Sequence, residues 1–199
     1  MSHAISRLLV PAYFHPAVEP AAWDALVAAA PRLDAVVINP DSGVGPAHDP
    51  AYAAVAERLR AAGVRVLGYV DTDYARRPHH AVVAEIATYR DRYAVDGVFF
   101  DQTPASADGL PHYTRLAVAA RALDALCLAF NPGLPPDPAY HALADLVVTF
   151  EGPWSAYAHR TPDAGTHLVY AAPPDAGVHG YATAGELPNP WAVPGHLTL

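Results

Sequence analysis

The sequence predicts a compact, single-domain (β/α)8 barrel of the TIM type over residues 1–199. Three observations predict it. Eight short runs rich in β-branched, aromatic and aliphatic residues are bounded by Gly, Pro, Asn or Asp. Most of these runs are apolar along nearly their whole length. Stretches with helical periodicity alternate with them.

The runs fall at 7–14, 35–40, 65–71, 97–102, 126–133, 146–152, 166–173 and 178–183. Strands that are apolar on both sides are buried on both faces, as in a parallel sheet covered by helices. The helical patterns lie at 23–30, at 51–62 with Tyr52, Val55 and Leu59 on one face, and at 82–93 with Val82, Ile86, Tyr89 and Tyr93. A fourth covers 113–125, with Leu116, Ala120 and Leu123. Later helices shrink to about two turns or less, as at 138–144. The length of 199 residues sits at the lower edge of the roughly 200–400 that such barrels use. A doubly wound open sheet is the alternative, but it needs fewer strands at this length, and no G-x-G-x-x-G follows the first run.

Composition sets the class. With 52% hydrophobic and 16% charged residues the chain can bury one core, which excludes a disordered tail or a fibre. The 21 Pro and 13 Gly are spread between apolar runs and mark no internal domain boundary. The net charge is -8, and the 12 basic residues are all Arg without a concentrated basic face, so nucleic acid is not expected as a partner. The single Cys127 can form no internal disulfide and reads as a small buried hydrophobe. No apolar run approaches the roughly 20 residues that span a bilayer, so no membrane partner is expected. Residues 1–9 lack a charged leader and cleavage site, so the chain as written reads as cytoplasmic, with secretion left open for a trimmed chain.

Nearly every strand run ends in hydrogen-bonding groups: Tyr13-Phe14-His15, Asn39-Pro40-Asp41-Ser42-Gly43, Tyr69-Val70-Asp71-Thr72-Asp73, Asp101-Gln102, Asn131-Pro132-Gly133 and Glu151-Gly152-Pro153-Trp154, with Tyr170 and Tyr181 near the last two ends. In a barrel these carboxyl ends converge on one mouth. A polar, aromatic mouth with carboxylates and no basic cluster suits a hydroxyl-rich, uncharged or cationic ligand, such as an oligo- or polysaccharide. Asp101 and Glu151 follow apolar strands directly and are the candidate catalytic pair. Glycoside hydrolysis uses two carboxylates about 5–5.5 Å apart for retention or about 6.5–9.5 Å apart for inversion, and the sequence leaves both outcomes open. The alternative is that Asp101 caps a loop and Glu151 pairs with an Arg.

Tyr13, Tyr69, Trp154 and Tyr170 are candidates for stacking on sugar faces, against a plain core role; Trp154, just past a Gly-Pro turn, is the first choice. His15, Asn39, Ser42, Gln102, Asn131 and Tyr181 complete the expected substrate-binding rim. Asp71 reads equally as a site for a cationic amine and as a loop residue, and Asp73 as a helix cap. The 11 His include no H-E-x-x-H, and His79-His80 opens a helix, so neither a metal site nor a cofactor is expected.

Six motifs in order, Ile38-Asn39-Pro40-Asp41-Ser42-Gly43, Leu67-Gly68-Tyr69-Val70-Asp71-Thr72, Asp96-Gly97-Val98-Phe99-Phe100-Asp101, Asn131-Pro132-Gly133, Ala144-Asp145 through Phe150-Glu151, and Asn189-Pro190-Trp191, resemble the spherulin-4 family over almost the whole chain. The resemblance implies a (β/α)8 barrel of glycoside hydrolase family 135, whose characterised members cut galactosaminogalactan, an α-1,4-linked polymer, within the chain at N-acetylgalactosamine. It also implies an Asp-Glu pair after the fourth strand and a Glu after the sixth, which map to Asp101, Gln102 and Glu151. The second acid of that pair is here an amide, which keeps hydrogen bonding but cannot exchange a proton. Side-chain alternation directs residue 102 away from the mouth, toward the helix layer or an adjoining loop. The expectation is therefore an endo-acting glycoside hydrolase using Asp101 and Glu151. A non-catalytic sugar-binding barrel is the alternative, and a lyase or deacetylase on the same scaffold ranks last.

Overall fold

Eight parallel strands in sequential order form one sheet that curls into a nearly closed barrel in the computed structural model, which describes residues 7–197. Residues 1–6, part of the stretch read as lacking a leader, and residues 198–199 of the expected domain lie outside the described residues. The strands are β1 (Leu8–Ala12), β2 (Leu33–Ile38), β3 (Arg65–Asp71), β4 (Gly97–Asp101), β5 (Cys127–Phe130), β6 (Leu146–Pro153), β7 (Thr166–Tyr170) and β8 (Tyr181–Ala182). Their apolar residues are buried almost without exception, which is why the runs read as continuous. At Gly97 a Cβ would lie 1.9 Å from the Cys127 carbonyl oxygen, so the close approach of β4 to β5 requires glycine. Cys127 is buried there, and burial pushes its thiol up to about 11.

The helices are α1 (Pro20–Ala28), α2 (Pro50–Ala61), α3 (His79–Tyr93), α4 (Leu110–Ala122) and the single-turn α5 (Trp154–Tyr157). The expected faces are the buried ones: Tyr52, Val55 and Leu59 on α2, and Val82, Ile86, Tyr89 and Tyr93 on α3. α1, α3 and α4 each begin three residues before the expected starts at 23, 82 and 113, and Pro20, Pro78 and Pro111 stand at or beside these starts, where a missing N–H costs nothing. On α2 the Asp49 side chain accepts from Ala51 N–H at 2.8 Å and caps the helix. The expected helix at 138–144 is a 3₁₀ turn, Pro138–Ala142.

The expected eighth run contracts to Tyr181–Ala182. Gly180 enters it at φ 150°, with the His167 carbonyl oxygen 2.2 Å from where a Cβ would sit, and only the next two residues align with β7. Among the described residues no ladder joins β8 to β1. Residues 183–197 occupy that seam instead: His196 N–H donates to Ala182 at 2.8 Å, and Tyr13 N–H, just past β1, donates to the Trp191 carbonyl at 3.1 Å.

Candidate active site

The carboxyl ends of the strands surround a cavity of about 370 Å³, lined by Tyr13, Asn39, Ser42, Tyr69, Asp101, Asn131, Glu151 and Trp191. A second hollow of about 500 Å³ adjoins it and shares Asp101, Asn131 and Glu151, adding Gln102, Tyr170, Tyr74, Leu134 and Leu187. The expected acid pair thus forms the boundary between two compartments of one mouth.

Asp101 ends β4 and Glu151 belongs to β6. What aims Glu151 inward is a β-bulge: the β6–β7 register slips between Val148 and Phe150, so Thr149 is the extra residue. Thr149 donates to Asp163 at 2.6 Å and Phe150 packs on Tyr157, so both face the crossover after β6. Glu151 then turns to the mouth.

Between the two carboxylates stands Asn131. Its side-chain N–H₂ group donates to Asp101 Oδ1 at 2.8 Å and also to Glu151 Oε2. Two bonds to one nitrogen hold these oxygens within about 6 Å of each other. The outer oxygens are held too: Tyr69 O–H donates to Asp101 Oδ2 at 2.8 Å, and Trp191 N–H donates to Glu151 Oε1 at 3.0 Å. Asn131 Oδ1 is buried and has no hydrogen-bond partner among the protein's own groups.

Burial pushes both carboxyls above their ordinary range. For Asp101, hydrogen bonds from Tyr69, the Gln102 backbone and Asn131 oppose that rise. For Glu151 the charge of Asp101 adds to it, opposed by Asn131 and Trp191. The environments therefore differ: Asp101 has more support for its charged form, and Glu151 more reason to keep its proton. Burial and the nearby acids also push the Tyr13 and Tyr69 hydroxyls up, so both remain O–H donors.

A separate cleft of about 460 Å³ lies beside Asp145 and Asp163 and offers a contrast. Asp145 is paired with Arg121 at 2.6 Å, and Asp163 with Arg160 at 3.1 Å. Burial disfavours the charge on Asp163, but bonds from Thr149, His167 and the Gly165 N–H overcome it and hold the carboxyl below its ordinary range. Such carboxylates are structural.

Of the expected rim, Tyr13, Asn39, Ser42, Tyr69, Asp101, Gln102, Asn131, Glu151 and Tyr170 line the two compartments, and four residues do not. His15 pairs with Asp49 at 2.8 Å and sits edge-on to Tyr52, which ties it to the start of α2. Asp71 is occupied by Gln102 Nε2 at 3.3 Å and Asp73 N–H at 2.7 Å. Trp154 opens α5 and packs on Tyr157 in a small satellite cluster with Phe150, because β6 runs on through Pro153 before the chain turns. Tyr181 is buried against Trp191 and accepts from Gly195 N–H at 2.7 Å.

Gln102 reverses its expected direction. It takes φ 53°, which ends the strand and its alternation, and its side chain joins Asp101 in the outer compartment. Two aromatic lining residues, Trp191 and Tyr74, lie outside the expected rim. Trp191 lies in the Asn189-Pro190-Trp191 motif but far from any strand end. Tyr74 belongs to a turn in which Asp73, Tyr74 and Ala75 all have positive φ, 45°, 52° and 70°. Each such non-glycine residue costs on the order of 1–2 kcal/mol. Ties of Thr72 N–H to the Asp101 carbonyl at 3.1 Å and Tyr74 N–H to the Gln102 carbonyl at 2.9 Å hold the turn.

Three comparisons with known proteins bear on this site. Spherulin-4 of Physarum polycephalum is 37% identical over 152 residues, which cover 73% of this chain and 44% of that protein, so the chain spans less than half of its relative's length. The crystal structure of Aspergillus clavatus Sph3 in complex with GalNAc superposes with a TM-score of 0.80 at 28% identity, over 96% of this chain and 93% of that one. The glycoside hydrolase domain of PelA from Pseudomonas aeruginosa shares the fold, with a TM-score of 0.52 at 15% identity over 96% and 97% of the two chains. The profile of the spherulation-specific family 4 matches residues 7–181. The chain belongs to that family.

Proposed function

We propose that the protein is a glycoside hydrolase that cuts α-1,4-linked, N-acetylgalactosamine-containing polysaccharide within the chain. The observation that carries this reading is the pair of half-buried carboxyls, Asp101 and Glu151, bridged by Asn131 beneath an open mouth. The likeness to Sph3 in complex with GalNAc supports the sugar, and the likeness to a second glycoside hydrolase fold supports the scaffold.

The separation favours retention, since oxygens within about 6 Å leave little room for a water between acid and base. In an α-linked N-acetylgalactosamine the 2-acetamido group cannot readily reach the face opposite the leaving oxygen, so the enzyme must supply the nucleophile. Asp101, the better supported as an anion, attacks the anomeric carbon. Glu151 gives its proton to the departing glycosidic oxygen as that bond breaks. Glu151, now ionised, takes a proton from water, whose oxygen displaces Asp101 and restores both carboxyls. Asn131 Oδ1 accepts from a hydroxyl or the acetamido N–H of the bound ring.

Incubation with galactosaminogalactan, followed as new reducing ends, tests the proposal. Release by the parent that is lost in both Asp101→Asn and Glu151→Gln is the expected result. The amide at Gln102 favours one other reading, a barrel that binds the polymer without cutting it. Tight binding with no new ends would select that reading.

A further inference from the structure

Among the exposed large hydrophobic side chains of the described residues, Tyr74, Leu134 and Leu187 gather in the outer compartment; they are 53%, 52% and 67% exposed. Tyr74 is the one aromatic of the exposed set. Its ring is not placed by packing. It is held out by three consecutive left-handed residues, which the protein retains by tying the turn to the backbone on either side of the Asp101 peptide. Arg76, itself paired with Asp73, stands 5.7 Å from the ring centroid on one face and fixes the ring's orientation. The ring lines the outer compartment and is half exposed there.

We infer that the outer compartment is a second sugar subsite, with Tyr74 the platform on which a pyranose ring stacks on the far side of the bond being cut. The inference rests on reading the mouth as a polysaccharide site, and deepens it. The two compartments meet at Asp101, Asn131 and Glu151, so a chain that places one ring in the inner cavity must carry its neighbour past these residues into the outer one. The apolar C–H face of a pyranose matches an aromatic ring flanked by Leu134 and Leu187, and its hydroxyls can reach Gln102. Tyr74 is then a specificity-determining residue that favours oligomers over single sugars.

Binding distinguishes this from hydrolysis. Calorimetric affinities for N-acetylgalactosamine and for its α-1,4-linked tetramer are measured on the parent, Tyr74→Ala and Tyr74→Phe. The expected result is that Tyr74→Ala weakens the tetramer about tenfold, leaves the monosaccharide unchanged, and that Phe, which keeps the ring, restores the tetramer. Equal loss for both ligands, no loss for the tetramer, or a Phe variant no better than Ala overturns the subsite. If the parent binds the tetramer but releases no reducing ends, hydrolysis fails and the subsite is still decided by the three variants. If the parent binds no tetramer, both fall.

Discussion

Trp191 donates its indole N–H to Glu151 across 3.0 Å, although 40 residues separate the two. The bond favours the ionised form of Glu151 and so opposes the effect of burial. Trp191→Phe removes the donor and keeps most of the ring. Its expected effect is an alkaline limb of kcat/KM displaced to higher pH, because the acid holds its proton longer, with a several-fold lower kcat from slower proton donation. A pH–rate profile identical to the parent's would remove Trp191 from control of the acid.

Asp101→Asn and Glu151→Gln are each expected to lower turnover by at least about 100-fold while circular dichroism and the melting profile remain those of a folded barrel. The first sugar product of the parent should carry the α configuration when followed by NMR at early times, as retention requires. A β product would place the carboxyls in an inverting arrangement and cancel the nucleophilic role of Asp101.

Glu151 also affects stability. Its carboxyl lies above the unfolded value because of burial and the charge of Asp101, so the folded state holds the proton more tightly than the unfolded chain. The stability that this proton gives is complete below the unfolded value and is lost as pH rises through the folded one. Glu151→Gln cannot lose it. The Tm of the variant relative to the parent should therefore be higher at pH 7 than at pH 4, by about 2–4 °C if the difference is about 1 kcal/mol. A difference that shrinks toward pH 7 contradicts the sign.

Gln102 is tied to Asp71 by a 3.3 Å bond in which the amide is the donor. This is a supporting bond to a neighbouring carboxyl, and losing a part-buried bond of this length in Gln102→Ala is expected to cost about 0.5–1.5 kcal/mol. Gln102→Glu replaces the donor by a second carboxyl beside the first, and such a pair keeps a shared proton to higher pH. Activity should match the parent near pH 5 and fall below it toward pH 8. A parent without activity that gains it through this variant would be a binding barrel.

The eight strands were legible because a parallel strand buried on both faces leaves an uninterrupted apolar run; β3 is found at the residues expected. Helix starts were less so, because a proline-led first turn carries no apolar signal. Asp101, Asn131 and Glu151 could be placed at the mouth because each lies at or beside the end of its run. Gln102, Trp154 and Tyr74 were hidden by one cause, backbone that departs from its repeat, whereas His15 and Asp71 are taken up by neighbouring side chains and backbone and Tyr181 by the core. Positive φ redirects Gln102, the extension of β6 moves Trp154 to the helix layer, and nothing in Asp73-Tyr74-Ala75 announces three left-handed residues. Trp191 stands in the Asn189-Pro190-Trp191 motif, but only the long-range return of the chain brings it to Glu151.

The seam between β8 and β1 is expected to tie the order of the mouth to local unfolding. Seven strand pairings hold the rest of the barrel by ladders, whereas residues 183–197 are held by single bonds and by the packing of buried Trp191, so this segment is expected to detach before those pairings are lost. Detachment withdraws Trp191 from Glu151 and uncovers the inner cavity in one event. The free energy of that excursion, smaller than that of global denaturation, sets the fraction of folded molecules with a competent site. Amide exchange at Tyr13, whose N–H bonds Trp191, reports it directly.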